Sequence, residues 1–310
     1  MKNKLSKLSI PYVVWMALFV VAPIIMVVIY AFTSTDGGFT FENFSNMATY
    51  AVVFGRSFKL AAIATVICLA IGYPVSYMMS KEGPGFQRIA MVLIMLPMWI
   101  NFLLRTYSWM SILENNGLLN QVFLSIGVVD LANSWNGFLN DVCFNLNQWL
   151  GLTAEATLNV SRATNMTYIP MLNTQGAVVL GMVYNYLPFM ILPIYSVIVK
   201  LDHSLIEAAR DLGANGFNVF RRVILPLSFP GILSGITMVF VPSVSTFAIS
   251  KMLGGGTELL LGDLIEQQFL GGAYNPQLGA AISLVMMVIV VVCMVVMNRF
   301  GEGEEQAVML

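Results

Sequence analysis

Charged side chains are scarce in this chain. Lys, Arg, Asp and Glu make up 10% of its 310 residues while apolar types make up 58%, against the roughly 25% charged and 45–50% apolar of a soluble domain. With a mean hydropathy of +0.79, that composition excludes a water-soluble globule and indicates a polytopic membrane protein. The net charge of −1 argues against a nucleic-acid partner, which needs a basic face for the phosphates. Histidine is reduced to His203, which excludes an H-E-x-x-H site and any multi-histidine metal site. Of the three cysteines, Cys68 and Cys293 fall in apolar runs and Cys143 stands apart, so no disulfide framework can be drawn. No G-x4-G-K-[ST] phosphate loop is present, since the run Gly254–Gly256 is followed by Thr257 and Glu258 with no lysine. This chain therefore has no ATP site and no cofactor of its own.

What is abundant is long apolar sequence. Six runs approach or exceed the ~20 residues that a helix needs to cross a hydrocarbon core, near 11–32, 58–79, 89–110, 177–198, 229–250 and 277–297. They are too continuous for the alternating ten-residue segments of a transmembrane barrel. Helices are then the way to satisfy every backbone group in lipid, so the fold class is all-α with six transmembrane helices in one domain, 1–310. The first run follows Lys2, Lys4 and Lys7 but is too long for a signal-peptide core and has no A-x-A site, so it reads as an uncleaved span. Basic residues favour the cytoplasmic side. Lys2, Lys4, Lys7, Lys81, Arg88, Lys200, Arg210, Arg221, Arg222 and Arg299 fall on the side of the N-terminus, leaving Arg56, Lys59, Arg105, Arg162 and Lys251 at the other. Both termini are expected to be cytoplasmic. No acid lies inside any run, which counts against an intramembrane hydrolase and against a proton- or sodium-coupled carrier.

The loops are unequal. An outer segment over 111–176 carries the breakers Gly117, Gly127, Gly137 and Gly151 and amphipathic pieces such as 118–129, expected as interfacial helices. Its part over 137–172, rich in Asn, Thr and Leu, reads either as an inserted cap or partner surface, or as a loose excursion. The triplets at Asn43, Asn159 and Asn165 match the glycosylation pattern, with chance the better account in so Asn-rich a chain. The tail GEGEEQAVML reads as a solvated end. Pro23, Pro74, Pro97, Pro188, Pro193 and Pro242 fall inside runs, where each deletes a backbone hydrogen bond. The pair Pro188 and Pro193 predicts a bend in the fourth span.

Between the fourth and fifth runs lies a polar island, KLDHSLIEAARDLGANGFNVFRRVILP, over 200–226. Ser204 and Glu207 have the spacing of a capping box, so a short helix is expected from there. Small residues at Ala208, Ala209 and Gly213 and the break Ala214–Gly216 precede Phe217, Val219 and Phe220, and Pro226 is expected to stop the second short helix. A connecting loop has no core of its own to bury Leu205, Leu212, Phe217 and Phe220, whereas a groove in another protein would bury them. The pattern E-A-A, three residues, G, nine residues, then I-x-L-P resembles the signature of bacterial ABC-importer permeases. Glu207, Ala208, Ala209, Gly213, Leu225 and Pro226 match it, and Val223 replaces the usual Ile with another β-branched residue. The stretches 96–120, 186–214 and 259–270 extend the likeness, which is to the B-type permeases of spermidine/putrescine importers, with 137–172 as a departure.

That resemblance implies an importer of two permease subunits, two copies of an ATP-binding cassette subunit carrying ATP and Mg, and an extracytoplasmic polyamine-binding protein, in a bacterial inner membrane. The island would be a coupling helix seated in the ATPase, involving Glu207, Ala208, Ala209, Gly213, Phe217, Phe220, Val223, Leu225 and Pro226. Candidates for the pathway of a cation are ring faces and acids. They are Trp99, Tyr107, Tyr184 and Tyr186, with Glu114 near the third span and Glu258, Asp263 and Glu266 in the outer loop before the sixth. Arg105, the one charge well inside an apolar run, must snorkel or face a polar cavity and suits a structural or gating role. No metal site is expected. A permease for another solute, a secondary carrier and a membrane scaffold are the rival readings.

Overall fold

The computed structural model describes residues 10–34, 37–150, 163–256, 259–272 and 274–308. Its described elements are helical apart from the isolated bridge Thr33–Phe39. Helix α1 combines Ile10–Met16, a π turn Ala17–Val21 and Ala22–Ala31. Helix α2 (Glu42–Lys81) follows, then α3 (Pro84–Trp99), α4 (Phe102–Leu113), α5 (Leu118–Ser125) and α6 (Val128–Leu150). Next come α7 (Gln175–Ile198), α8 (His203–Asp211), α9 (Gly216–Leu227) and α10 (Phe229–Ser245). The last three are α11 (Ala248–Leu253), α12 (Leu261–Leu270) and α13 (Pro276–Val308).

Among the described residues four helices are long and apolar enough to cross a membrane, and six spans result when each of two bent pairs is counted as one. The third predicted run, 89–110, is not a rod. Helices α3 and α4 meet at 90°, because Pro97 weakens the end of α3 and Asn101 starts a new helix, its Oδ1 accepting from the amides of Leu103 (2.8 Å) and Leu104 (3.4 Å). The fifth run, 229–250, also breaks, ending as helix at Ser245 and restarting at Ala248. Helix α7, by contrast, runs unbroken through Pro188 and Pro193. It packs against α2 on one side and α10 on the other, and the breaks in the spans fall at Asn101 and Thr246.

Helix α7 is the centre of the molecule. Its contacts with α2 and α10 depend on small residues that let helix backbones approach. A Cβ on Gly231 would lie 3.0 Å from the Pro193 carbonyl, and one on Gly72 would lie 3.0 Å from the Met190 side chain. Polar groups then pair across the contact. Ser76 Oγ donates to the carbonyl of Gly72 at 2.7 Å and approaches that of Ile191 at 3.0 Å, and Tyr73 Oη shares a hydrogen bond of 2.9 Å with Ser228 Oγ. Each such bond contributes about 1 kcal/mol, and its loss strands a buried polar group.

The region expected on the outer side differs from the expected loops. Helices α11 and α12, the region before the sixth span, form a tucked hairpin rather than a solvated loop. Ile249, Leu253, Leu260, Leu261 and Leu264 are buried, α11 against α4 and α7, α12 against α2, α10 and α13. Helix α5 covers the first part of the amphipathic piece expected at 118–129, which breaks at Gly127 before α6 begins. Of 137–172, residues up to 150 belong to α6, which begins at Val128, and residues 163–172 are strapped back to it. Residues 151–162, with Gly151, Asn159 and Arg162, lie outside the described residues, as do Lys2, Lys4, Lys7 and Glu258. Asn43 is no sugar acceptor, since its buried amide donates to the carbonyls of Ala31 and Thr33.

Candidate coupling loop and translocation pathway

The polar island folds into two helices, as its breakers predict, but the caps differ in detail. Asp202, not Ser204, is the N-cap of α8, its carboxylate accepting from the Ser204 amide at 2.9 Å. An ionised acceptor two residues ahead of that amide outcompetes a hydroxyl, and Glu207 is left exposed rather than bonded back. The C-terminus closes as a Schellman motif. The Gly213 amide donates to the Arg210 carbonyl (2.8 Å) and the Ala214 amide to that of Ala209 (3.1 Å), with Gly213 at φ +82°. Asn215 then caps α9 through the Asn218 amide at 2.9 Å.

Pro226 does not stop α9. A π turn over Phe220–Ile224 shifts the hydrogen-bond register ahead of it, Pro226 occupies the first turn of the next piece, and the chain bends by 61° beyond Leu227. Phe220 is not an open edge either. It packs edge-on to Tyr73 (5.7 Å) and Tyr77 (5.3 Å) of α2 and joins the core, so α9 is clamped to the second span through an aromatic contact. Val223 is half-buried, and Leu225 and Pro226 are exposed. Helix α8 leans on α9 and keeps Leu205 (47%), Leu212 (89%) and Phe217 (67%) exposed. Beneath it a cleft of about 570 Å³ is lined by Tyr77, Lys81, Glu82, Glu207 and Arg210 among others. The arrangement is a short helix held off the body, apolar side chains outward, joined to spans two and five by one clamped segment.

The pathway candidates divide. Trp109 packs edge-on to Tyr184 at 5.3 Å, and Arg105, half-buried above the Phe102 ring (6.0 Å), lies within electrostatic reach of Tyr186. The Tyr186 hydroxyl donates to the Pro242 carbonyl at 3.4 Å. Arg105, Tyr184 and Tyr186 are therefore gathered where α4 meets α7. Arg105 Nε and Nη1 have no hydrogen-bond partner among the described residues. Trp99 (75% exposed), Tyr107 (53%) and Glu114 face outward and are not brought in.

The acids before the sixth span are not ordinary loop acids. Asp263 is 4% exposed. Its Oδ2 accepts from the Leu260 amide at 2.9 Å and closes the start of α12, while Oδ1 is buried with no hydrogen-bond partner among the described residues. Burial, first of all, raises its carboxyl above the ordinary range, opposed by hydrogen bonding. Glu266 forms an ion pair with Lys251 at 3.0 Å. Asn185, missed in the sequence, is a second buried polar group with an unpartnered oxygen. It sits mid-α7 with its amide on the Gly181 carbonyl at 2.8 Å, and its place in an apolar run at helix mid-length was the available signal. Among the described residues no cluster suited to a metal is present.

Residues 72–303 match the family of binding-protein-dependent transport system inner membrane components. The chain is 36% identical over 309 residues to the spermidine/putrescine transport system permease protein PotB of Haemophilus influenzae, covering 97% of this chain and 95% of that one. To the protein of the same name from Escherichia coli K12 it is 33% identical over 283 residues, covering 89% and 90%. Its fold is that of a chain in the crystal structure of a bacterial ABC transporter involved in the import of the acidic polysaccharide alginate. The TM-score is 0.70 at 15% identity, with 96% of this chain and 94% of that chain covered. Six apolar spans, a helix held off the body between the fourth and fifth, and a match over most of the chain lead to one conclusion: this multi-pass membrane protein belongs to the binding-protein-dependent transport system inner membrane components, the permease subunits of ABC importers.

Proposed function

We propose that this chain is a permease subunit of an ATP-driven polyamine importer, taking spermidine or putrescine from an extracytoplasmic binding protein and passing it inward by alternating access. The observation that carries the reading is identity of 36% across 97% of the chain to a spermidine/putrescine permease. Two copies of an ATP-binding subunit, holding ATP and Mg, and a second permease complete the assembly, with both termini on the cytoplasmic side.

Helix α8 is the lever in this reading. An ATPase groove that receives Leu205, Leu212 and Phe217 buries the side chains left open by the fold. Its movement passes through α9 and the Phe220 clamp to α2 and through the bend at Ser228 to α10. ATP shifts the two arrangements only by binding one better than the other. Glu207, exposed on α8, and the small pair Ala208–Ala209 give the groove a charge and a close approach. On the outer side, the free Oδ1 of Asp263 and the rings of Tyr184 and Tyr186 are the groups suited to a passing ammonium. High affinity belongs to the binding protein.

The test is affinity purification of the tagged chain in mild detergent from its native membrane, followed by identification of co-purifying proteins, ATPase assay and polyamine uptake. Recovery of an ATP-binding subunit and a second permease, with spermidine- or putrescine-stimulated hydrolysis, supports the reading. An assembly stimulated only by other solutes overturns the substrate. A chain that returns without an ATPase overturns the importer and leaves a carrier or scaffold.

A further inference from the structure

Helix α6 (Val128–Leu150) is used by nothing in the transport reading, and its surface is organised. Leu131, Trp135, Phe138, Val142, Leu146 and Trp149 are all exposed, from 37% at Val142 to 84% at Trp149. At 100° per residue these six fall in an arc of about 80°, one stripe along the whole helix. The opposite face is already occupied. Asn133 exchanges two hydrogen bonds with the Met166 backbone (3.0 and 2.9 Å), and Asn136 donates to the Ala163 carbonyl at 3.0 Å. The roll of the helix is therefore pinned, and the stripe is turned away from the returning chain. Phe144, 69% exposed, lies on that opposite face beyond the two tethers and stands as the exception.

We propose that α6 lies in the bilayer interface on the side opposite α8, with this stripe sunk to the boundary of headgroups and acyl chains. Its tethers hold it at that level. The return segment is fixed to α5 at Ile169, whose amide and carbonyl both bond Asn120 (2.9 and 3.1 Å), shortly before α7 begins at Gln175. Exposed Leu118 and Val122 of α5, and Ile126 just past its end, continue the apolar surface next to it. Trp135 and Trp149 are the residue type that settles at headgroup depth. Polar, exposed Asp130, Ser134, Asp141 and Gln148 line one edge of the stripe, where a helix lying in the interface meets water. The helix has two Asp and no Lys or Arg, so apolar burial and indole anchoring hold it. Attraction to anionic lipid does not, and zwitterionic lipid suffices. An importer with such a helix has a stirrup against its own membrane beside the mouth at which substrate arrives.

The test uses the full chain with Cys68, Cys143 and Cys293 replaced by Ser, reconstituted in phosphatidylcholine bilayers. Spin labels are placed one at a time by Trp135→Cys, Phe138→Cys and Val142→Cys on the stripe and by Asp141→Cys and Gln148→Cys on the flank. Each is measured for collision with oxygen, which concentrates in lipid, and with a water-soluble nickel chelate. The expected result is an oxygen-to-nickel ratio severalfold higher on the stripe than on the flank, unchanged between neutral and anionic vesicles. Stripe labels open to both reagents mean a solvated helix and overturn the proposal. Stripe labels closed to both mean a protein-covered face, such as a docking site for a binding protein, and overturn it as well. The readout does not depend on transport, so a failure here leaves the importer reading untouched, and the reverse also holds.

Discussion

Gly213 offers the sharpest test of the loop geometry. It sits at φ +82° with nothing within 4 Å of where a Cβ would be, so substitution there perturbs the backbone without a clash. An L-residue in the left-handed region costs roughly 1–2 kcal/mol, and the stiffer alanine backbone recovers roughly 0.4–1 kcal/mol by restricting the disordered loop. The net for Gly213→Ala is about 1 kcal/mol, or about a fivefold loss in the population of the closed Schellman turn. Gly213→Asn should retain most of it, because Asn tolerates this region, and Gly213→Val should lose more than Ala. The direct assay is hydrogen exchange at the amide of Ala214, which bonds the Ala209 carbonyl at 3.1 Å. It should quicken about fivefold in the Ala variant, with membrane insertion normal and coupled uptake reduced in the order Asn, Ala, Val. Exchange in Gly213→Ala equal to wild type, or an Asn variant worse than Val, refutes the reasoning.

Other expectations follow from contacts elsewhere. Tyr73→Phe removes the 2.9 Å bond to buried Ser228 and should lower stability by about 1 kcal/mol, measured as a drop in Tm in detergent, while Phe220 keeps its aromatic contact. Gly231→Val drives a side chain against the Pro193 carbonyl and should cost about 1–3 kcal/mol. Gly55→Ala, with open space around it, should be neutral or stabilising by up to about 1 kcal/mol, and equal effects on Tm would contradict the packing argument. Asp263 has a raised carboxyl, so the folded state prefers it protonated; its contribution is complete below the ordinary value of 3.8 and declines as pH rises through the raised one. Asp263→Asn should therefore be as stable as wild type in acid and more stable at neutral pH, and thermal unfolding curves separated by a constant gap at all pH values would exclude this.

The particular residues show why some features were legible before the fold was known. Apolar runs identify spans because lipid excludes unpaired backbone whatever the neighbours are; among the described residues four of the six expected runs lie in single long helices and the other two in bent pairs. The loop was legible because Gly213, Ala214 and Asn215 act through bonds to residues within a few positions of themselves. The capping box at Ser204 failed for an equally local reason, the stronger acceptor Asp202. At Pro188 and Pro193 the helix α7 stays continuous, packed between α2 and α10.

The sequence by itself determined that this is an all-helical membrane protein with a structured polar loop between spans four and five, because partition into lipid and local capping chemistry are properties of short segments. Only the tertiary structure decided that Phe220 locks the loop to Tyr73 and Tyr77, and that Asp263 is a buried acid rather than a solvated one. Only it gathered Arg105, Tyr184 and Tyr186 while leaving Trp99, Tyr107 and Glu114 outside. Whether a side chain is wet or buried depends on elements that arrive from far along the chain, and hydropathy summed over neighbouring residues carries no record of them.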